Sequence, residues 1–217
     1  MDNRFRNVTV LIWDFDGTLY APNPALWKEI REGEYRTIMA HTGWPREQAV
    51  AEFEKLHKTV YPSATETVAQ LIHLPIADAA SEMEQYFDRT KYLTRDEKLI
   101  ALFAKLKQYR HFTLANGIIA NHKKALGVLG VPAETFEEMV TAETVGITKP
   151  HPEGFRYILG KTGLPAEQHL MIGDREGVDL VPAKALGMKT CLVWAKNSSS
   201  IANVSLPTVY GVANLVG

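Results

Sequence analysis

The sequence predicts an α/β fold, a doubly wound parallel sheet with an inserted all-helical unit. Three observations predict it. Short apolar runs typical of buried strands stop at polar residues or glycine, beginning with residues 8–13. From about residue 94 onward, such runs alternate with amphipathic helical patterns, which favours parallel strands joined by right-handed crossovers. Between these parts, residues 21–92 carry helical patterns and no convincing strand.

The individual elements follow in order along the chain. After the first strand, helices with an apolar face are predicted over residues 25–41, 46–60, 64–74 and 76–87. Further strands are predicted over residues 111–115, 139–142, 169–172 and 189–194, with an edge strand over 208–212. Further helices are predicted over residues 95–109, 118–129, 151–163 and 177–186. The chain therefore divides into a core of residues 1–20 and 93–217 and a helical cap of residues 21–92.

The composition is that of an ordinary soluble globular protein, with 46% apolar and 23% charged residues among 217. The net charge is -1 and no basic stripe is present, so we expect no nucleic-acid partner. No apolar stretch approaches the roughly 20 residues that span a bilayer, so we expect no membrane partner. A single cysteine and a polar stretch over residues 1–7 favour a cytoplasmic protein. We expect a monomer or a homodimer.

Polar residues stand where three of the predicted strands end. Asp14 and Asp16 follow the first strand, and residues two apart in a strand point to the same side. Gly17 then allows a tight turn. Asn116 and Asp174 follow two later strands, and ligands of such sheets bind at the carboxyl ends of the strands. We expect these ends to lie together, although each motif alone would also suit an ordinary turn.

Four motifs, in this order, resemble those of the haloacid dehalogenase superfamily, in the phosphatase branch that contains phosphoglycolate phosphatases and pyrimidine 5′-nucleotidases. They are Asp14-Phe15-Asp16-Gly17-Thr18, then Asn116-Gly117, then Lys149-Pro150 before a helix, then Gly173-Asp174 with Asp179. The resemblance implies a Rossmann-like catalytic core and a helical cap inserted after the first motif.

The resemblance also implies a role for each motif residue. Asp14 is expected to be the nucleophile and Asp16 the general acid and base. Lys149 is expected to supply a catalytic cation. Mg²⁺ is the expected cofactor, held by the Asp14 side chain, the Asp16 backbone carbonyl and Asp174, with Asp179 orienting this shell.

Substrate binding is expected from Lys149 and from the turns at Gly17 and at Asn116-Gly117, whose backbone N–H groups can cradle phosphate oxygens. The chemistry has a physical basis. A carboxylate that attacks a phosphate monoester divides one hard step into two, and an acid such as Asp16 protonates the leaving alkoxide. In the superfamily, the dehalogenases lack this second aspartate, so its presence favours phosphoryl chemistry over carbon–halogen cleavage.

One position departs from the superfamily pattern. The second motif usually has serine or threonine at the end of its strand to bind the phosphate, and here that position is Ala115. A lost hydrogen bond to a charged group weakens binding by about 1.5–3 kcal/mol. Either Asn116 and backbone amides bind the phosphate oxygen in place of the missing hydroxyl, or Thr113 does so through a shifted register.

We therefore expect a Mg²⁺-dependent phosphatase that acts on a small phosphorylated metabolite through an aspartyl-phosphate. The alternatives are a phosphomutase of the β-phosphoglucomutase type and a binding protein that kept the fold without turnover. Specificity is expected from the first cap helix and the chain leading into it. The candidates are Tyr20, Trp27, Lys28, Arg31, Tyr35 and Arg36.

Overall fold

A computed structural model describes residues 3–60 and 63–216. Its centre is a parallel sheet with the strand order β3-β2-β1-β4-β5-β6, so the predicted α/β fold is confirmed. The strands are β1 Val10–Trp13, β2 Arg110–Leu114, β3 Glu138–Val140, β4 His169–Gly173, β5 Lys189–Leu192 and β6 Val204–Ser205. The first strand lies in the middle, where its four residues are fully buried.

Helices surround the sheet and form the inserted segment. The inserted helices are α1 Pro24–Thr42, α2 Arg46–Val60, α3 Ala64–Ile72 and α4 Ile76–Met83. The later helices are α5 Glu97–Lys105, α6 Ile119–Leu129, α7 Ala142–Val145, α8 Glu153–Thr162, α9 Val181–Ala185 and α10 Ala213–Val216. Within the described part of the chain, no helix combines the length and the apolar character that crossing a bilayer requires.

The sheet packs on both faces because successive residues of β1 point in opposite directions. Leu11 and Trp13 join one apolar layer, in which the Trp13 and Phe103 ring centroids lie 5.1 Å apart. Val10 and Ile12 join the opposite layer. Both faces of the central strand are thus covered, which explains its uninterrupted apolar sequence.

A third apolar cluster lies wholly within the inserted helices and includes Tyr35, Ile38, Phe53, Val68 and Met83. A segment with its own apolar cluster can pack as a unit beside the sheet. This cluster supports the predicted cap at residues 21–92, whose boundaries stay a prediction.

Two predicted elements differ from the structure in kind, and others differ at their ends, since the helix predicted over residues 76–87 ends at Met83 and the one predicted over 95–109 is Glu97–Lys105. The edge strand over residues 208–212 is wrong, because Val209–Val212 forms a 3₁₀ turn that buries both of its valines and the edge strand is β6. The helix over residues 177–186 is divided into a π-helical segment, Glu176–Leu180, and α9. Pro182 lacks the backbone N–H that a continuous α-helix would use at that position.

Candidate active site

The polar strand ends meet around one cavity of about 100 Å³ between the sheet and the inserted helices. Asp14, Asp16 and Asn116 line this cavity, and the carboxylate of Asp174 lies within 4.8 Å of that of Asp14. The expectation that the ends of β1, β2 and β4 lie together is therefore confirmed.

Asp14 is held in place through both of its carboxylate oxygens. Lys149 Nζ donates to Asp14 Oδ1 over 2.6 Å, and the Thr18 hydroxyl donates to Asp14 Oδ2 over 2.8 Å. The Asp14 backbone N–H donates to the Ile172 carbonyl and so extends the hydrogen-bond ladder between β1 and β4. The side chain is 5% exposed and borders the cavity, so it is fixed in orientation and open on one side.

Lys149 bridges two buried carboxylates. Its Nζ donates to Asp179 Oδ1 over 2.6 Å as well as to Asp14. Burial opposes the charge on Lys149, but the carboxylates of Asp14 and Asp179 raise the pKa of its ammonium group above the usual value. Asn116 fixes the backbone at this point, because its side chain accepts from the Lys149 N–H over 2.8 Å and donates to the Lys149 carbonyl over 2.9 Å.

The side chain of Asn116 thus serves to position Lys149. Its predicted phosphate contact stays a prediction that rests on the backbone of the turn. Gly117 lies in the same turn at a crowded position, since a Cβ there would stand 2.5 Å from Glu84 Oε1 and 2.6 Å from His122 Nε2. A side chain at this position would force the turn or these two neighbours to move.

Three carboxylates form a group that can hold a divalent cation. Ligand atoms of Asp14, Asp174 and Asp179 all lie within 4.8 Å of one another. Burial, together with the charges of Asp14 and Asp179, raises the pKa of Asp174 to about 8. Asp174 Oδ1 is buried and has no hydrogen-bond partner among the described residues. An all-oxygen group with an unpartnered carboxylate oxygen matches the ligands that Mg²⁺ prefers.

Gly17 makes this close arrangement possible. Its φ of 81° is unfavourable for residues with a side chain, and a Cβ there would lie 2.7 Å from Asp174 Oδ2. The prediction of a site role for Gly17 therefore has a clear physical basis in the approach of Asp174, while its predicted contact to substrate stays a prediction.

Asp16 points to a different set of partners. Arg89 Nε donates to Asp16 Oδ1 over 3.0 Å and Arg89 Nη2 donates to Asp16 Oδ2 over 3.2 Å. The Tyr20 hydroxyl also donates to Asp16 Oδ1. Burial acts to raise the pKa of Asp16, but the Arg89 guanidinium, with His122 and Tyr20, brings it below the usual value. The predicted metal contact of Asp16, through its backbone carbonyl, stays a prediction.

Arg89 and Glu84 join the inserted segment to the core, and sequence reasoning missed both. Glu84 follows α4 and accepts from Arg89 Nη1 over 2.8 Å and from Arg89 Nη2 over 3.0 Å. It also accepts from the Ile118 N–H and from the Asn121 side chain at the start of α6. No motif surrounds these two residues, so only their separation of five residues next to the end of a helix could have indicated a pair.

Other candidates fall into two groups. Ala115 lines the cavity, while Thr113 lies inside β2 opposite Trp13 and does not, so a shifted register is wrong. Among the cap candidates, Trp27 lines the cavity and Tyr20 contacts Asp16. The remaining candidates do not line this cavity, although Arg31 lines a neighbouring cleft; they are Lys28, Arg31, Tyr35 and Arg36.

Comparisons with known proteins agree with this geometry. The model of the haloacid dehalogenase-like hydrolases matches residues 8–187. Over 198 residues the chain is 28% identical to a phosphoglycolate phosphatase of Yersinia pseudotuberculosis, and the match covers 85% of this chain and 80% of that protein. Over 55 residues the chain is 47% identical to a glyceraldehyde 3-phosphate phosphatase of Methanocaldococcus jannaschii. This match covers only 25% of this chain and 24% of that protein.

A solved structure has the same fold. The HAD phosphatase of Thermococcus onnurineus superposes with a TM-score of 0.68 at 19% identity, covering 97% of this chain and 98% of that one. At this identity the likeness concerns the fold alone. The family model, which spans both the first motif and the fourth, carries the assignment. The chain belongs to the haloacid dehalogenase-like hydrolases.

Proposed function

We propose that the protein is a Mg²⁺-dependent phosphatase that hydrolyses a small phosphomonoester through an aspartyl-phosphate on Asp14. The observation that carries the proposal is the setting of Asp14, a buried carboxylate oriented by Lys149 and Thr18 at the edge of a small cavity. The names of the relatives, phosphatases of phosphoglycolate and of glyceraldehyde 3-phosphate, support the reaction class.

In the first step, an Asp14 carboxylate oxygen attacks the phosphorus and the bond from phosphorus to the leaving oxygen breaks. Asp16, which the structure shows as a carboxylate paired with Arg89, must carry a proton at this stage and gives it to that leaving oxygen. In the second step, water attacks the phosphorus of the aspartyl-phosphate while Asp16 takes a proton from the water. The bond between phosphorus and Asp14 then breaks, and inorganic phosphate and the original carboxylate are restored.

Positive charge must offset the meeting of an anionic nucleophile with an anionic ester. Lys149 supplies one fixed cation within hydrogen-bond distance of Asp14. When bound, Mg²⁺ would neutralise further charge on the phosphoryl oxygens. The side chains of Asp14 and Asp174 and the backbone carbonyl of Asp16 would hold it, and Asp179 would keep Lys149 beside this group.

The test is release of inorganic phosphate from a panel of esters, with and without Mg²⁺. The panel contains p-nitrophenyl phosphate, phosphoglycolate, glyceraldehyde 3-phosphate, mononucleotides and hexose phosphates. Asp14→Asn should reduce release to background in a folded protein, and Asp78→Asn, at an exposed position of α4, should leave it unchanged. Appreciable release by folded Asp14→Asn would contradict the proposal, and isomerised sugar phosphate without free phosphate would favour the mutase.

A further inference from the structure

The cavity beside Asp14 has a cation without an assigned task. Lys149 is engaged by Asp14 and Asp179, and the guanidinium of Arg89 is engaged by Asp16 and Glu84. Each of these two cations therefore already has two carboxylate partners. The remaining arginine that lines the cavity, within the described ranges 3–60 and 63–216, is Arg175.

The backbone of Arg175 is held by a hydrogen bond, while its guanidinium lies near the Asp179, Asp14 and Asp174 carboxylates with one donor unused. Its backbone N–H donates to Asp179 Oδ2 over 3.1 Å, which fixes the start of the π-helical segment. Its Nε is buried and has no hydrogen-bond partner among the residues that the structure describes. A buried donor without a partner is unfavourable by about 1–3 kcal/mol, so a ligand that provides an acceptor would gain from it.

The position of Arg175 indicates which part of a substrate it would meet. It lines both the cavity of about 100 Å³ beside Asp14 and a wider cleft of about 630 Å³ next to α1. The two spaces share Trp27, Ile30 and Glu34 on their other side. With the phosphoryl group at Asp14 in the small cavity, the leaving group would extend toward the wider cleft and pass Arg175.

Several carboxylates act on Arg175 from nearby, namely Asp179, Asp14 and Asp174, and Glu176 lines the same cleft, but among the described residues none of them forms a hydrogen bond or ion pair with its guanidinium. The Glu34 carboxylate already faces Arg31, with 2.9 Å between Arg31 Nη1 and Glu34 Oε2. Trp27 and Ile30 are apolar and provide shape rather than charge. A guanidinium presents Nε and an adjacent Nη side by side, which matches the two oxygens of a carboxylate.

We propose that Arg175 determines specificity by binding a carboxylate on the leaving group. The preferred substrates are then short phosphomonoesters that carry a carboxylate close to the phosphate. This inference rests on the proposed function, because it takes the phosphoryl group to lie at Asp14. It assigns a task to the residue that directly follows Asp174 in the chain.

The experiment compares two pairs of small molecules that differ only in that carboxylate. For turnover, phosphoglycolate is compared with 2-hydroxyethyl phosphate through the ratio of their kcat/KM values. For binding, 3-phosphonopropionate is compared with 3-hydroxypropylphosphonate by calorimetry in the presence of Mg²⁺. The second pair cannot be hydrolysed, so it reports on Arg175 whether or not the protein turns over esters.

The wild-type protein should prefer the carboxylate member of each pair. Arg175→Gln should reduce this preference about 10- to 100-fold, as expected for the loss of a hydrogen-bonded ion pair. Arg175→Lys keeps the charge without the planar group and should retain an intermediate preference. Arg156→Gln removes an exposed arginine that pairs with Glu153, and it should leave both ratios unchanged.

Two outcomes would overturn the inference. The wild-type protein would show no preference for the carboxylate compounds, or Arg175→Gln and Arg175→Lys would weaken both members of each pair equally. An equal loss would mean that Arg175 acts on the phosphate or on the fold. Failure of the proposed function is recognised separately, as absence of phosphate release from every ester including p-nitrophenyl phosphate.

Discussion

Two buried cations in this protein have the same arrangement and different origins. Lys149 bridges Asp14 and Asp179, with both distances at 2.6 Å, and all three residues belong to the core. Arg89 bridges Asp16 and Glu84 over 2.8–3.2 Å, and it ties the end of the inserted helices to the strand end.

The difference teaches how the two expected chemical roles are supported. Asp14, the expected nucleophile, is held by Lys149 and Thr18, which both lie outside the inserted helices. Asp16, the expected acid and base, is held by Arg89, which lies in the chain that returns from the insertion. We expect the first cluster to be rigid and the second to respond to the position of the cap.

Removal of the lysine should have the largest effect. Lys149→Met leaves the buried carboxylates of Asp14 and Asp179 without their cation, and breaking a buried ion pair lowers the free energy of unfolding by about 3–5 kcal/mol. Phosphate release should be lost as well. Urea unfolding at neutral pH measures the first effect.

Lys161→Met is the matched control for that experiment. It breaks the partly exposed pair of Lys161 with Glu138, which is expected to change the free energy of unfolding by no more than about 1 kcal/mol. If Lys149→Met were as mild as this control, the view of the core cluster as a tightly coupled ion-pair group would be wrong.

Outside these two clusters, the buried carboxylate of Glu34 sharpens the comparison, because the side chain of its partner Arg31 is only partly buried. Burial raises the pKa of Glu34 to about 7, although Arg31 opposes this. Since the folded pKa lies above the ordinary value near 4.5, the stability that protonated Glu34 contributes is present below about pH 4.5 and is lost as the pH rises through about 7.

The expected size of this loss is about 3 kcal/mol. Urea unfolding of the wild type and Glu34→Gln near pH 5 and near pH 8 measures it. The wild type should lose stability relative to the variant as the pH rises. Glu153→Gln, at an exposed position, should show no such change relative to the wild type. If the difference in free energy of unfolding between the wild type and Glu34→Gln did not change with pH, the raised pKa of Glu34 would be contradicted.

The second cluster can be tested through the leaving group. Arg89→Met removes the group that orients Asp16, so kcat/KM should fall about 10- to 100-fold for an alkyl phosphate, whose leaving oxygen needs a proton. It should fall less for p-nitrophenyl phosphate, whose leaving group departs without one. Kinetics of the two esters provide the measurement.

Arg95→Met serves as its control, because Arg95 forms an exposed pair with Glu97. This variant should leave both esters unchanged. An equal fall for the two esters in Arg89→Met would show that Arg89 supports the fold and not the acid. In that case the two clusters would differ only in where their residues lie in the chain, and not in what they support.

The smallest expected effect concerns the strand end between the two clusters. Ala115→Thr places a hydroxyl at the cavity, where it can donate to a phosphate oxygen, and a gain of about 1 kcal/mol is expected. Inhibition by free phosphate should become about fivefold stronger. Ala115→Val adds similar bulk without a hydroxyl and should bring no gain. Equal inhibition constants for the wild type and Ala115→Thr would contradict this expectation.

The sequence predicted the fold and the meeting of the strand ends around Asp14 because both follow from local patterns and parallel pairing. The apolar strand before Asp14 and the glycine after Asp16 are adjacent in the chain, and parallel pairing brings Asn116 and Asp174 to the same edge. Arg89, Glu84 and the unpartnered Nε of Arg175 could not be predicted in this way. Their roles depend on how the inserted helices meet the sheet, and no periodicity in the sequence specifies that contact.

The central place of β1 also has a consequence for synthesis of the chain. Val10 pairs with Arg110 on one side and with His169 on the other. At about 5–20 residues per second, the ribosome needs roughly 8–30 s to pass from the first strand to its second partner. The inserted helices, with contacts close in sequence, can pack during that interval. The Val-Leu-Ile-Trp strand meanwhile remains without its neighbours, so we expect the nascent chain to expose an aggregation-prone segment until β4 has left the exit tunnel.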